Sequence, residues 1–137
     1  MFAAIEVGVA GERSLIVKKE HTAAAWGSGS LLVLATPQMV ALMEGAAVRA
    51  VDPLLPPGHQ TVGTHLDVGH IAATALGHKV TARAELIEID GRKLCFRVQA
   101  YDDAGKIGEG LHHRFIVDEL RFMQRARSRG AQSRSAS

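Results

Sequence analysis

The sequence has a single cysteine, Cys95, among its 137 residues, so no disulfide can form within one chain. It has no apolar run close to the roughly 20 residues that a transmembrane helix requires. Residues 1–10 include Glu6 and lack the basic start of a signal peptide. We therefore expect a soluble, cytoplasmic protein without a membrane partner. With 47% hydrophobic residues, the chain is long enough to bury a core without disulfides or metals.

Acidic residues are absent from the end of the chain. Residues 121–137 contain five arginines and no acidic residue, whereas residues 1–120 contain 11 basic and 14 acidic side chains. Residues 128–137 are small and polar, a composition typical of disorder. We expect one domain over residues 1–127, with a short helix from about residue 117, and a disordered basic tail at 128–137. Contacts of these arginines with nucleic acid would be salt-sensitive and independent of base sequence. A solvated tail is the simpler interpretation, and we expect no nucleic-acid partner.

A helix is predicted over residues 36–51. Thr36 is a favourable N-cap because its oxygen can accept a backbone N–H, and Pro37 already has the φ that the first helical turn requires. Asp52 and Pro53 end the helix. Between these signals, apolar side chains recur at intervals of three and four residues and form one broad face. This face contains Met39, Val40, Leu42, Met43, Ala46, Ala47, Ala50 and Val51.

Glu44 lies at the edge of this apolar face, between Val40 and Val48. A carboxylate in this position loses part of its hydration, which makes it a better base or nucleophile than a surface glutamate. An edge residue that reaches water, or one that pairs with an arginine, is an equally good interpretation of the helix alone. Gly45 and Ala41 predict the close approach of another backbone, since glycine within a helix costs roughly 1 kcal/mol relative to alanine.

The remainder of the chain predicts β-strands. One strand is expected at residues 12–19, before the helix, and four strands follow the helix. These four lie at residues 60–70, 78–89, 92–101 and 106–117. One early helix followed by an antiparallel meander predicts an α+β domain.

Two details of the strands bear on topology and on the site. Asp90 and Gly91 form a typical hairpin turn between the third and fourth strands. His70 ends the second strand and is a candidate site residue, although a lone strand histidine is usually structural. Alternation along this strand predicts one shared face. That face contains Val62, Thr64, Leu66, Val68 and His70.

Seven short motifs, spread over roughly residues 12–125, resemble those of the fluoroacetyl-coenzyme A thioesterase-like branch of the hot dog thioesterases. They are Ala35-Thr36-Pro37, Leu42-Met43-Glu44, Thr61-Val62-Gly63-Thr64, His70-Ile71-Ala72-Ala73-Thr74, Asp90-Gly91-Arg92, Ile107-Gly108-Glu109-Gly110, and His112 with Arg114. Each motif alone is weak, but the set is specific. The resemblance implies the hot dog fold, an α+β fold in which an antiparallel sheet wraps around one central helix.

The resemblance also implies an acyl-CoA thioesterase that forms a homodimer and binds its substrate at the subunit interface. The family's threonine, glutamate and histidine correspond to Thr36, Glu44 and His70, and its substrate-binding glycine and arginine correspond to Gly63 and Arg114. Glu44 would attack the thioester or activate a water, while His70 and Thr36 position the reacting groups and handle protons. This chemistry needs no cofactor and no metal, and the histidines lack a zinc-like spacing.

The sequence departs from the family pattern in three places. Specialised fluoroacetyl enzymes use phenylalanine side chains before the helix as a gate to the acyl pocket, whereas residues 27–34 contain none. Ala75 stands where proline is expected, and Leu111 and His113 replace a threonine and an acidic residue beside His112. We therefore expect a general short or medium acyl-CoA as the substrate.

Two alternative functions fit the same fold. A non-catalytic acyl-CoA-binding domain would keep the pocket but would not need Glu44, and the presence of all three candidate residues argues against it. A hot dog dehydratase fits less well, because residues 67–70 lack the aspartate and histidine spacing of that family.

Overall fold

The computed structural model describes residues 2–136, with side chains described as far as residue 131. Its strands are β1 (Ala10–Ile16), β2 (His59–His70), β3 (Lys79–Asp90), β4 (Lys93–Asp102) and β5 (Gly105–Asp118). The α-helices are α1 (Thr36–Val51) and α2 (Glu119–Ala136), and short 3-10 helices lie at Lys19–His21 and Asp52–Leu54. The predicted central helix ends where α1 ends, and α1 begins one residue before the start that a Thr36 N-cap implies. Each predicted strand is found, with ends that differ by three residues at most.

The five strands form one antiparallel sheet in the order β1-β3-β4-β5-β2, so β1 and β2 are its edges. The sheet curls around α1, and its concave face and the apolar face of the helix together form the core. The largest buried core side chains include Leu34, Met39, Met43, Leu86, Leu94, Phe96, Ile107 and Ile116. This arrangement confirms the prediction of an α+β hot dog fold with one central helix.

The turn between β3 and β4 also confirms its prediction. Gly91 has φ +61°, a backbone conformation that other L-residues rarely adopt, and it closes the hairpin directly after Asp90. The turn fixes the pairing of the two central strands of the sheet.

The strand β1 crosses α1 at very short range, at Gly11. A Cβ atom at Gly11 would lie 2.7 Å from the backbone nitrogen of Ala50, so no larger residue fits there. The sequence predicts such a backbone approach at Gly45, and this prediction is wrong for the described chain. The side chain of Arg13 packs there instead, with Cδ 2.6 Å from where a Cβ of Gly45 would lie.

A register shift interrupts β2 between Gly63 and His65. Thr61 is buried before the shift, and Val68 packs against the core after it. Because a bulge adds one residue to a strand, it reverses which residues face the helix. The prediction that Val62 shares a face with Val68 is therefore wrong, and Gly63 faces the helix.

The helix α2 extends through Ala136, so residues 128–136 are helical where the sequence predicts a disordered tail. The side chain of Asp118 accepts the backbone N–H of Arg121 at 3.0 Å and caps the start of the helix. The segment contains arginine, glutamine and alanine, which are good helix formers, and no proline, and α2 accommodates Gly130 despite its low helix propensity. The domain boundary at residue 127 remains a prediction. Among the described residues, neither helix is long and apolar enough to cross a membrane.

Candidate active site

Thr36 and His70 meet at one end of the central helix. The Oγ1 of Thr36 lies 2.7 Å from Nδ1 of His70, the last residue of β2. The prediction that Thr36 is the N-cap is wrong, because Ala35 occupies that position with φ −69° and ψ 139°. Thr36 is already the first helical residue, and its hydroxyl bonds to the imidazole instead of to the helix backbone.

The second ring nitrogen of His70 is poised for a further hydrogen bond. Its Nε2 is buried and has no hydrogen-bond partner among the residues that the structure describes. Burial lowers the pKa of His70 from its ordinary value of 6.5 and outweighs an opposing backbone interaction with Ala72. The ring is therefore neutral at pH 7 and can exchange one proton with a bound group.

A cavity of about 370 Å³ opens beside Thr36 and His70. Much of its wall comes from the segment that precedes α1, including Ser28, Leu31 and Val33. The remaining wall is the chain just after His70. None of these residues is a phenylalanine, so the cavity lacks the aromatic gate of the specialised enzymes.

Glu44 meets Gly63 and Arg114 farther along the helix. The Oε2 of Glu44 accepts a hydrogen bond from Nη1 of Arg114 at 3.3 Å. The Arg114 side chain is 6% exposed and that of Glu44 is 40% exposed, so the carboxylate faces open space while its partner is buried. A Cβ atom at Gly63 would lie 2.9 Å from Oε2 of Glu44, so the carboxylate occupies the space that the glycine leaves free. The structure thus brings together three of the five predicted site residues.

Arg114 is fixed by a buried network that the sequence did not indicate. Its Nε donates to Oγ1 of Thr61 at 2.8 Å, and its Nη2 donates to the carbonyl oxygen of Thr61 at 3.0 Å. The Thr61 hydroxyl in turn donates to Oδ1 of Asp52 at 2.6 Å. The guanidinium therefore has a carboxylate on either side, with Glu44 in direct contact and Asp52 linked through Thr61. A buried arginine needs such compensation, because an unpaired buried charge is strongly destabilising.

His112 completes this network as a neutral acceptor. It is fully buried, its Nε2 lies 3.1 Å from Nη1 of Arg114, and its Nδ1 lies 2.9 Å from the carbonyl oxygen of His65. An arginine can only donate, so Nε2 accepts and the proton must sit on Nδ1. Burial, together with the charge of Arg114, lowers the pKa of His112 below 6.5. The sequence offers one signal for this role, which is the alternation of His112 and Arg114 on one face of β5.

The two clusters are separate within one chain. Glu44 follows Thr36 by eight residues in α1, which corresponds to about 12 Å along the helix axis. Thr36 and His70 form one half of the predicted constellation, and Glu44, Gly63 and Arg114 form the other. No group of three or more metal-ligating side chains among the described residues is placed to hold a metal ion.

Comparison with known proteins connects this arrangement with a family. Residues 17–120 match the sequence profile of a family described as fluoroacetyl-CoA-specific thioesterase. The fluoroacetyl-CoA thioesterase of Streptantibioticus cattleyicolor is 44% identical over 97 residues, which are 71% of this chain and 70% of that protein. A solved structure of the fluoroacetyl-CoA thioesterase FlK is 36% identical, with a TM-score of 0.83 over 90% of this chain and 96% of that one.

A mutant of FlK in complex with acetyl-CoA is 35% identical, with a TM-score of 0.85 over 91% of this chain and 98% of that one. The profile match covers most of the chain, and sequence and structure agree. The chain belongs to the fluoroacetyl-CoA-specific thioesterase family.

Proposed function

We propose that the protein hydrolyses acyl-CoA thioesters to a carboxylic acid and free CoA. The observation that carries the proposal is the Glu44 carboxylate, which Arg114 holds beside the open backbone of Gly63. Relatives named as fluoroacetyl-CoA thioesterases support the reaction class. We further propose a cytoplasmic location, because acyl-CoA thioesters are intracellular metabolites.

In the proposed reaction, Glu44 acts on the thioester carbonyl in one of two ways. As a general base it removes a proton from water, the oxygen attacks the carbonyl carbon, and the C–S bond breaks. As a nucleophile it displaces the CoA thiolate to form a mixed anhydride, which water then hydrolyses. In both cases the thiolate takes up the proton that the attacking water gives up, and we assign the relay of this proton to the Thr36 and His70 pair, so that neither residue ends with a changed charge. The backbone N–H of Gly63 is the proposed donor to the oxyanion.

We propose that two chains complete each active site. The strand β2 is an edge of the sheet, so its unpaired backbone N–H and C=O groups can pair with a strand of another chain. Antiparallel pairing of β2 with a second copy around a two-fold axis sets the His70 end of one strand beside the Gly63 segment of the other. This arrangement joins Thr36 and His70 of one chain with Glu44 and Arg114 of its partner, and it places the substrate between subunits.

The first test replaces the carboxylate without changing its shape. Glu44→Gln should bind acetyl-CoA nearly as well as the wild type, while kcat falls by at least ~10²-fold, the scale for losing a general base. Glu12→Gln is the matched control, because Glu12 is exposed on β1. Free thiol release and equilibrium binding measure the two properties. Unchanged turnover in Glu44→Gln would refute the mechanism. A wild-type protein that binds acetyl-CoA without releasing thiol would indicate the non-catalytic binding domain instead.

A second test asks whether the site is shared between chains. Glu44→Gln and His70→Ala should each be inactive alone, but each mixed dimer contains one site with both groups intact. Unfolding and refolding an equal mixture should therefore restore about a quarter of wild-type activity, since half of the dimers are mixed and each has one working site. Light scattering checks that the refolded protein is dimeric. No recovery in a dimeric mixture would refute the shared site.

A further inference from the structure

A second large cavity lies at the opposite end of the sheet from His70. Its volume is about 560 Å³, and it lies between the first turns of α2 and the ends of β2 and β5. Three arginines, one histidine and two phenylalanines face it. These residues are His59, Arg92, Phe115, Arg121, Phe122 and Arg125.

The lining combines positive charge with exposed aromatic rings. Arg121 and Arg125 are one helical turn apart and therefore lie on the same side of α2. Phe115 and Phe122 are 41% and 40% exposed, which is high for phenylalanine. Arginines bind phosphate oxygens, and flat aromatic rings stack on nucleobases. This lining fits a phosphorylated nucleoside.

The other charged groups of the cavity do not cancel its preference for an anionic, phosphorylated ligand. Asp118 is the acidic residue of the lining, and its carboxylate accepts the backbone N–H of Arg121 at the start of α2. Arg92 donates from Nη1 to the carbonyl oxygen of Ile116 at 3.4 Å, and its guanidinium lies 5.5 Å from the ring centre of Phe2. These contacts fix Arg92 at the cavity wall, and Arg121 and Arg125 together outweigh the charge of Asp118.

The cavity lies close behind the Glu44 cluster. In β5, Phe115 directly follows Arg114, so the two side chains project from opposite faces of the sheet. His59 precedes Gly63 by four residues on β2, which corresponds to about 13 Å along the strand. In the proposed dimer the partner's β2 ends beside Gly63. The segment 59–62 then extends beyond the partner strand and leads from Gly63 toward the cavity.

We propose that this cavity binds the phosphorylated adenosine end of CoA, with Arg121 and Arg125 on the phosphates and the phenylalanines against the adenine. The proposal rests on the proposed acyl-CoA hydrolysis for its choice of ligand. The extended pantetheine arm of CoA would span about 13 Å of strand between His59 at the cavity and Gly63 beside Glu44. The cavity thus determines affinity for the CoA portion of the substrate and takes no part in the chemical step.

The experiment compares two substrates that differ only in the nucleotide. The double variant Arg121→Gln, Arg125→Gln should raise KM for acetyl-CoA about tenfold, since each lost arginine removes a charge-assisted contact. Its kcat should not change, and neither should its KM for acetyl-pantetheine, which lacks the nucleotide. Arg127→Gln is the matched control, because Arg127 lies on the same helix outside the cavity. An equal effect on both substrates, or no effect on either, would overturn the proposal.

Calorimetry with adenosine 3′,5′-bisphosphate separates this proposal from the proposed function. Binding that is lost in the double variant but kept in Arg127→Gln supports the cavity assignment even if no acyl-CoA is hydrolysed. Hydrolysis of acetyl-CoA without such binding would overturn the cavity assignment and leave the proposed function intact. Binding of AMP or ATP in the cavity, with the KM for acetyl-CoA unchanged in the double variant, would identify a free nucleotide as the ligand and also overturn the proposal.

Discussion

Gly63→Ala is the most informative single substitution, because it adds one methyl group at the centre of the Glu44 cluster. The new Cβ would lie 2.9 Å from Oε2 of Glu44, 3.2 Å from Cε1 of His112 and 3.3 Å from Nη1 of Arg114. Ordinary contacts begin near 3.4 Å, so the carboxylate must move by roughly 0.5 Å to accommodate the methyl group. Gly63 is not among the residues with positive φ, so alanine fits its backbone conformation.

The expected consequence is a loss of activity with little loss of stability. A misplacement of about 1 Å can cost a factor of 10² in rate, so a shift of half that size should lower kcat/KM by about 10- to 100-fold. This loss corresponds to about 1.4–2.7 kcal/mol in the activation barrier. The free energy of unfolding should change much less, because alanine also restricts the unfolded chain and thereby offsets part of the crowding.

Gly69→Ala is the matched control on the same strand. Its Cβ would lie 3.7 Å from Cγ2 of Ile71, which is an ordinary contact. Thiol release from acetyl-CoA gives kcat/KM for both variants, and thermal unfolding reports their stability. The role assigned to Gly63 would be refuted if Gly63→Ala kept more than half of the wild-type kcat/KM, or if Gly69→Ala lost as much.

Three further predictions follow from the same structure. His70 and His112 have a pKa below 6.5 in the folded protein, so below pH 6.5 the unfolded chain binds more protons than the folded one, and the free energy of unfolding should decrease. Urea unfolding at pH 7.5 and pH 5.5 measures this change, and equal stability at the two pH values would contradict the prediction. Fluoroacetyl-CoA should not exceed acetyl-CoA in kcat/KM by about 10⁴, because no phenylalanine lines the cavity beside Thr36; a larger ratio would show that another feature provides the selectivity. Deletion of residues 128–137 should leave hydrolysis intact, since no residue of the proposed site lies there, and a folded but inactive truncated protein would disprove this.

Local signals in the sequence are sufficient for the central helix and the main hairpin. The helix α1 has Pro37 at its start and Asp52-Pro53 at its end. These residues act on their immediate neighbours, so both ends of the helix could be predicted without knowledge of the tertiary structure. The same holds for Asp90-Gly91, because a tight turn depends on its own backbone angles. The hot dog fold itself followed from the set of motifs, since an α+β pattern alone fits many topologies.

The buried network could not be predicted, because its members are distant in the sequence. Thr61 and Arg114 are 53 residues apart, and only the register of β2 against β5 brings them together. A bulge after Gly63 sets that register, and periodicity cannot locate a bulge. The sequence indicates only that Asp52 helps to end the helix. In the structure the Asp52 carboxylate also accepts two hydrogen bonds from Thr61. The cap prediction failed for a related reason, since the Thr36 hydroxyl has a distant partner in His70.

The distance between Thr36 and Glu44 along one rigid helix has a consequence for how activity depends on concentration. A helix cannot shorten to bring the two groups together, so under the proposed arrangement a single chain is inert at any substrate level. At concentrations well below the dimer dissociation constant, activity should rise with the square of the chain concentration. Newly synthesised chains would therefore leave the acyl-CoA pool untouched until enough of them had accumulated to associate, and a cell could switch hydrolysis on through expression level alone.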